Sequence, residues 1–239
     1  MSTPTALIVG GTSGVGLATA RQLQASGTTV HIAGRRKDRL EEVRASDPGL
    51  IGHQLDANDS TAVRALGQAI GPIDNLILTL SGSEGVGPIA DLDLTMLRRA
   101  FDGKFWGHIT AIQALLPHLA ASGSITLLSA ITARTGMSGT AGLAALNGAV
   151  EALIKPLAIE LAPIRVNGIS PGFIDTPWWS DMPAEARRDY FAQAAADLPT
   201  GKIATAEDVA QVVVLAATNA NTTGTIIETD GGARLVSIN

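Results

Sequence analysis

Short apolar runs alternate along the chain with longer stretches in which apolar residues recur at helical spacing. The first run, Thr5–Val9, is apolar almost without interruption, as expected of a strand buried on both faces of a parallel sheet. A helix over residues 15–25 follows it. The same reading predicts strands at 29–33, 50–55, 75–79, 124–128, 165–169 and 225–228. Between them it predicts a charged helix at 37–44, a long helix at 95–120 closed by Gly123, an Ala-rich helix at 142–162 and a last helix at 206–217. Residues 173–199, with Trp178, Trp179 and Tyr190, break the alternation as a looser segment. Such βαβ units with right-handed crossovers give a Rossmann-type doubly wound parallel sheet of about seven strands, helices on both faces and ligands at the carboxyl ends. No repeat or linker divides the chain, so residues 1–239 are expected to form one dinucleotide-binding domain, with 173–199 covering the substrate.

Composition narrows this reading. Hydrophobic residues make up 46% of the chain and aromatic residues only 3%, with 26 glycines, which suits small aliphatic layers packed closely over a sheet. A net charge of −5 argues against a nucleic-acid or anionic-membrane surface. The absence of cysteine excludes disulfides, thiolate metal sites and cysteine nucleophiles. No signal peptide and no apolar run long enough to span a bilayer is read from the sequence, so a cytoplasmic protein is expected. His31, His53, His108 and His118 are scattered without partners at ligand spacing, and no metal site is expected.

The local motif that carries most chemistry is Gly10-Gly11-Thr12-Ser13-Gly14-Val15-Gly16, placed directly after a strand and at the start of a helix. Glycine lets the chain turn sharply there and lets the backbone approach a pyrophosphate. The helix N-terminus adds free N–H donors and a partial positive charge.

With the rest of the chain, this motif resembles the short-chain dehydrogenase/reductase family, whose glycine pattern is GxxxGxG. The resemblance covers nearly all of the sequence. It includes Leu55-Asp56, Asp74-Asn75-Leu76, Leu116-Pro117, Arg165-Val166-Asn167, Ser170-Pro171-Gly172 and the closing Asp230-Gly231-Gly232. The resemblance implies a small-molecule substrate and cofactor contacts at Gly10, Thr12, Ser13, Gly14, Val15 and Gly16. It also implies them at Asp56 (adenine), Ser81 and Gly82 (backbone), Pro171 and Gly172, and Ile174 and Thr176 (nicotinamide carboxamide). Members that bind NAD carry an acid at the end of strand two. Here Gly34 stands there, followed by Arg35 and Arg36, and a guanidinium can hold a 2′-phosphate with charge-assisted bonds. NADP(H) is therefore the expected cofactor, with a solvated basic helix start as the alternative for Arg36. In the family the two long helices pack against their copies, which implies a homodimer or homotetramer, with burial inside the subunit as the alternative for the apolar helix at 142–162.

The family's Asn-Ser-Tyr-Lys tetrad does not carry over. Its four positions fall on Lys104, Ala130, Leu143 and Asn147, and the chain's one tyrosine, Tyr190, lies beyond the helix that should hold it. Lys104 and Asn147 read as the family's Asn and Lys exchanged. One expectation is that Lys104 reaches the nicotinamide ribose with Asn147 bonded to it; the other is an ordinary solvated helix lysine. Tyr190 reads either as a displaced acid or as a packing aromatic. Asn-Asn-Ala-Gly becomes Thr79-Leu80-Ser81-Gly82, from which loss of side-chain support is expected. Three functions stay open: an NADP(H)-dependent oxidoreductase with altered acid/base chemistry, a catalytically inactive NADP(H)-binding protein, and a non-redox enzyme on the same fold.

Overall fold

The computed structural model describes residues 3–82 and 84–236. The chain runs from β1 (Thr5–Val9) through α1 (Gly14–Ala25), β2 (Thr29–Gly34), α2 (Lys37–Ser46), β3 (Ile51–Gln54), α3 (Ser60–Ile70) and β4 (Ile73–Leu78). It continues with α4 (Leu94–Phe101), a wide π turn (Asp102–Trp106), α5 (Gly107–Leu115), β5 (Leu119–Leu128), α6 (Ala141–Ala152), α7 (Ile154–Glu160) and β6 (Arg165–Pro171). The last part comprises β7 (Ile174–Asp175), α8 (Ala184–Asp197), β8 (Ala204–Thr205), α9 (Ala206–Thr218) and β9 (Ile226–Thr229).

Seven strands form one parallel sheet in the order β3-β2-β1-β4-β5-β6-β9, and β7 pairs with β8 in a separate ribbon. Strand β1 explains why its sequence is continuously apolar. Leu7 and Val9 enter a core layer with Leu76, Leu115, Ile125 and Val150, while Ala6 and Ile8 enter the opposite layer with Leu23, Ile32 and Val213. Each large side chain so buried contributes about 1.5–3 kcal/mol. The winding reverses between β1 and its neighbour β4, which opens a crevice beyond their carboxyl ends.

Several expectations need correction. The helix placed at 95–120 stops at Leu115, because Pro117 has no N–H to continue it. The chain turns through Leu116–His118 and enters β5 at Leu119, opposite Ile73. The helix placed at 142–162 breaks at Leu153, since Pro156 cannot bond back to the carbonyl of Ala152. Helix α3 was not foreseen; Asp59 caps it by accepting from the N–H groups of Thr61 and Ala62 at 3.1 and 3.0 Å. The segment read as loose contains the 14-residue helix α8. Finally, Ala141–Glu160 is long and apolar enough to cross a membrane by length and composition, contrary to expectation. Its Leu146, Val150, Ile154 and Ala158 are buried within the fold.

Candidate functional site

The loop between β1 and α1 is built so that glycine is required. Gly10 has φ +93° and Gly14 φ +50°, which L-side chains rarely adopt. A Cβ on Gly10 would lie 2.7 Å from Thr79 Oγ1, and one on Gly16 would lie 2.5 Å from the same atom. Thr79 is buried and donates to the Val9 carbonyl at 3.3 Å, tying the end of β4 to the end of β1. Side-chain support after β4 is therefore present, supplied by this threonine, where the sequence implied its loss. Ser13, extended, begins α1 without a side-chain cap among the described residues, and the first-turn N–H groups of Gly14, Val15 and Gly16 belong to an uncapped helix end. Thr176 borders this turn: its Cγ2 lies 3.4 Å from where a Gly14 Cβ would sit.

At the end of β2 an acid would press on the side chain of Thr12. A Cβ on Gly34 would lie 2.8 Å from Thr12 Cγ2 and 3.1 Å from its Oγ1. The two arginines that follow differ in state. Arg36 is paired with Asp38, whose carboxyl it holds down to about 2 through their hydrogen bonds. Arg35 is exposed and has no acidic side-chain partner among the described residues; its carbonyl accepts from Gln54 Nε2 at 3.2 Å. Asp56, at the end of β3, is exposed and accepts from the Asn58 N–H at 3.0 Å.

The second half of the site lies where the π turn, the end of β5 and α6 meet. Lys104 is 5% exposed. Its ammonium nitrogen lies 2.7 Å from Asn147 Oδ1 and 3.3 Å from the Ser129 carbonyl. Burial pushes the Lys104 amine down to about 7, with the negative charge of Glu151 opposing. Asn147 in turn donates from Nδ2 to Thr132 Oγ1 at 2.9 Å and to the Leu143 carbonyl at 3.0 Å. The Lys104 carbonyl, which also accepts from the Gly107 N–H closing the π turn, lies 2.6 Å from His108 Nδ1, and His108 Nε2 lies 3.3 Å from the Leu78 carbonyl. Burial, helped by the Lys104 charge, pushes His108 down to about 4. Sequence reasoning found the Lys104 and Asn147 positions but gave no role to Thr132 or His108. π turns inside helices recur at functional sites, and this one has no sequence signal.

Ser129 is committed elsewhere: its hydroxyl lies 2.8 Å from Glu151 Oε1 and 3.1 Å from the Ile169 carbonyl. Glu151 leads through Arg134 to Glu228 at 3.0 and 2.7 Å. Over the crevice, Trp178 Nε1 donates to the Gly82 carbonyl at 3.0 Å, joining the segment after β7 to the loop after β4 that holds Ser81. Trp179 Nε1 donates to the Ile174 carbonyl at 3.0 Å, so that carbonyl is already engaged. Pro171 ends β6, and Gly172 passes so close to Asp230 that a Cβ would lie 2.7 Å from its carbonyl oxygen. Tyr190 packs edge-on to Phe173 and against Trp179 in an aromatic group around Ile131, where burial raises its hydroxyl pKa. One histidine expectation is overturned: His31 and His53 stack across β2 and β3 with Nδ1 and Nε2 2.9 Å apart.

Comparison with known proteins agrees with this architecture. A family described as Enoyl-(Acyl carrier protein) reductase matches residues 9–234. The cis-4-hydroxycyclohexanecarboxylate dehydrogenase of Sinomonas cyclohexanicum is 30% identical over 240 residues, covering 95% of each chain. The short-chain dehydrogenase/reductase ATR9 of Stachybotrys chlorohalonatus is 31% identical, covering 96% of each. A solved small-chain dehydrogenase in complex with NADPH is similar with a TM-score of 0.86 and 38% identity, covering 98% of this chain and 100% of that one. The glycine cradle, the strand order and these full-length matches together place the chain in the short-chain dehydrogenase/reductase family.

Proposed function

We propose that this chain is an NADP(H)-dependent oxidoreductase acting on a small molecule with acid/base chemistry unlike that of its relatives. The observation that carries the cofactor choice is the crowding of Gly34 by Thr12, which hinders an acid there, beside an Arg35 with no acidic side-chain partner among the described residues. The cradle fits a dinucleotide because no Cβ intrudes at Gly10, Gly14 or Gly16. Arg35 holds the 2′-phosphate, and Arg36 orders the helix start through Asp38. Asp56, Ser81, Gly82, Pro171, Gly172, Ile174 and Thr176 surround the remaining parts of the cofactor, which when bound supplies or accepts the hydride.

Lys104 stands in for the missing lysine. As an ammonium it has three N–H groups, two of which are directed at Asn147 and Ser129. The third is available to a ribose hydroxyl. Residues 173–199, anchored through Trp178 to Gly82, cover the substrate and exclude water. Leu94 at the start of α4, Trp106 at the end of the π turn and Ile159 on α7 are exposed, which supports pairing of these helices with a second copy.

Fluorescence titration with NADPH and NADH tests the reading. NADPH is expected to bind tightly and NADH weakly. Arg35→Ala should weaken NADPH by about 10- to 100-fold, the worth of one charged hydrogen-bonded contact, and leave NADH unchanged. Arg36→Ala should change NADPH affinity less. Equal binding of both cofactors would defeat the assignment. A second reading, an inactive NADP(H)-binding protein, is favoured by Leu143 at the tyrosine position and by the packing of Tyr190 among aromatics. Cofactor oxidation during turnover separates the two.

A further inference from the structure

Thr132 belongs to no motif, yet it terminates the hydrogen-bonded series that begins at Lys104. It lies in the tight turn Ile131–Ala133 directly after β5 and is 8% exposed. Its oxygen accepts from Asn147 Nδ2. The other Nδ2 proton of Asn147 goes to the Leu143 carbonyl and its Oδ1 receives Lys104, so the amide cannot rotate without breaking bonds. The hydroxyl proton of Thr132 finds no acceptor among the described residues. Neighbouring hydroxyls are occupied: Ser129 with Glu151 and Ile169, Thr79 with Val9. Ala130 and Leu143 bring none.

We propose that the Thr132 hydroxyl is the donor that receives the carbonyl oxygen of the substrate, with Asn147 and Lys104 as positioning residues behind it. This rests on the oxidoreductase reading and narrows it. An oxygen lone pair is required, so the substrate class is a ketone, aldehyde or enone, and an iminium cation is excluded. Each link strengthens the next: a cationic Lys104 polarises the Asn147 amide, whose N–H polarises the Thr132 O–H. In a buried site such a donor stabilises the negative charge that grows on the carbonyl oxygen during hydride transfer.

The test uses 4-(dimethylamino)cinnamaldehyde, an enal whose absorption moves to the red when its oxygen accepts a strong hydrogen bond. It is added to the protein saturated with NADP+, so that no turnover occurs. Wild type and Thr132→Ser should give the red shift. Thr132→Val should lose it, with binding weaker by about tenfold, and Tyr190→Phe should keep it. No shift in wild type, a shift retained by Thr132→Val, or one lost in Tyr190→Phe would overturn the proposal. NADPH affinity, measured on every variant, keeps the two levels apart. If NADPH binds normally and the enal shift fails, the donor assignment alone falls; if NADPH does not bind, the oxidoreductase reading falls first.

Discussion

A buried lysine whose amine is held at about 7 must make the stability of the fold depend on pH, and Lys104→Met removes that dependence. Below about 7 the amine is protonated in both folded and unfolded chains. Between about 7 and 10.5 the unfolded chain keeps a proton that the folded chain has released. The unfolded state then binds more protons, so stability rises with pH across that window and levels off above it. The displacement from 10.5 to about 7, at about 1.4 kcal/mol per pH unit, sets a ceiling of about 5 kcal/mol on the rise. Hydrogen bonds to Asn147 and Ser129 favour the ammonium and reduce it, and half of the ceiling is a reasonable expectation. The assay is urea unfolding at pH 7, 8, 9 and 10, followed by tryptophan fluorescence and far-UV circular dichroism. The variant orphans Asn147 Oδ1 and the Ser129 carbonyl, at about 1–3 kcal/mol each. That loss is the same at every pH, so slopes, not absolute values, are compared. A slope in the variant equal to that of the wild type would refute the reasoning.

Two further outcomes follow from the same geometry. His108, held at about 4 against an ordinary 6.5, should make stability rise between those pH values, because the unfolded chain carries the extra proton there. His108→Gln should flatten that part of the unfolding curve while leaving the rise above pH 7 in place. Gly16→Ala would press a methyl to 2.5 Å from Thr79 Oγ1 and against the Gly10 carbonyl. NADPH affinity measured by titration should fall at least tenfold, with far-UV circular dichroism unchanged; undiminished affinity would show that the loop is not the phosphate cradle.

The parts legible in the sequence were those whose cause is local. Thr5–Val9 is apolar on both faces because the sheet is covered on both, and the positive φ of Gly10 and Gly14 is set within the turn itself, although the crowding by Thr79 comes from the distant end of β4. Helix α3 carried its signal in Asp59 and in Val63, but it lies between two strands that drew the reading. The break at Leu153 follows from Pro156 once α6 is known to reach it. Lys104 and Asn147 could be picked out because two departures from one pattern are complementary, which makes their proximity plausible before any coordinate is known. Thr132 could not, since its bond to Asn147 closes only when the turn after β5 packs on α6. Nor could His31 and His53, whose contact depends on strand register: His31 sits opposite Ile51, and His53 opposite Ala33.

The interlock of Gly34 with Thr12 has a consequence for how this protein can change its cofactor. An aspartate at 34 meets Thr12 before it meets any ribose, so Gly34→Asp alone is expected to lose one cofactor without gaining the other. A smaller residue at 12 alone supplies no acid to hold a ribose, so it brings no gain toward NADH. Only the two together open a route toward NADH, which makes the pair epistatic: a lineage or an engineer reaches the other specificity by a double step, through an intermediate that binds neither well. In a double-mutant cycle the coupling would appear as a non-additive gain in NADH affinity.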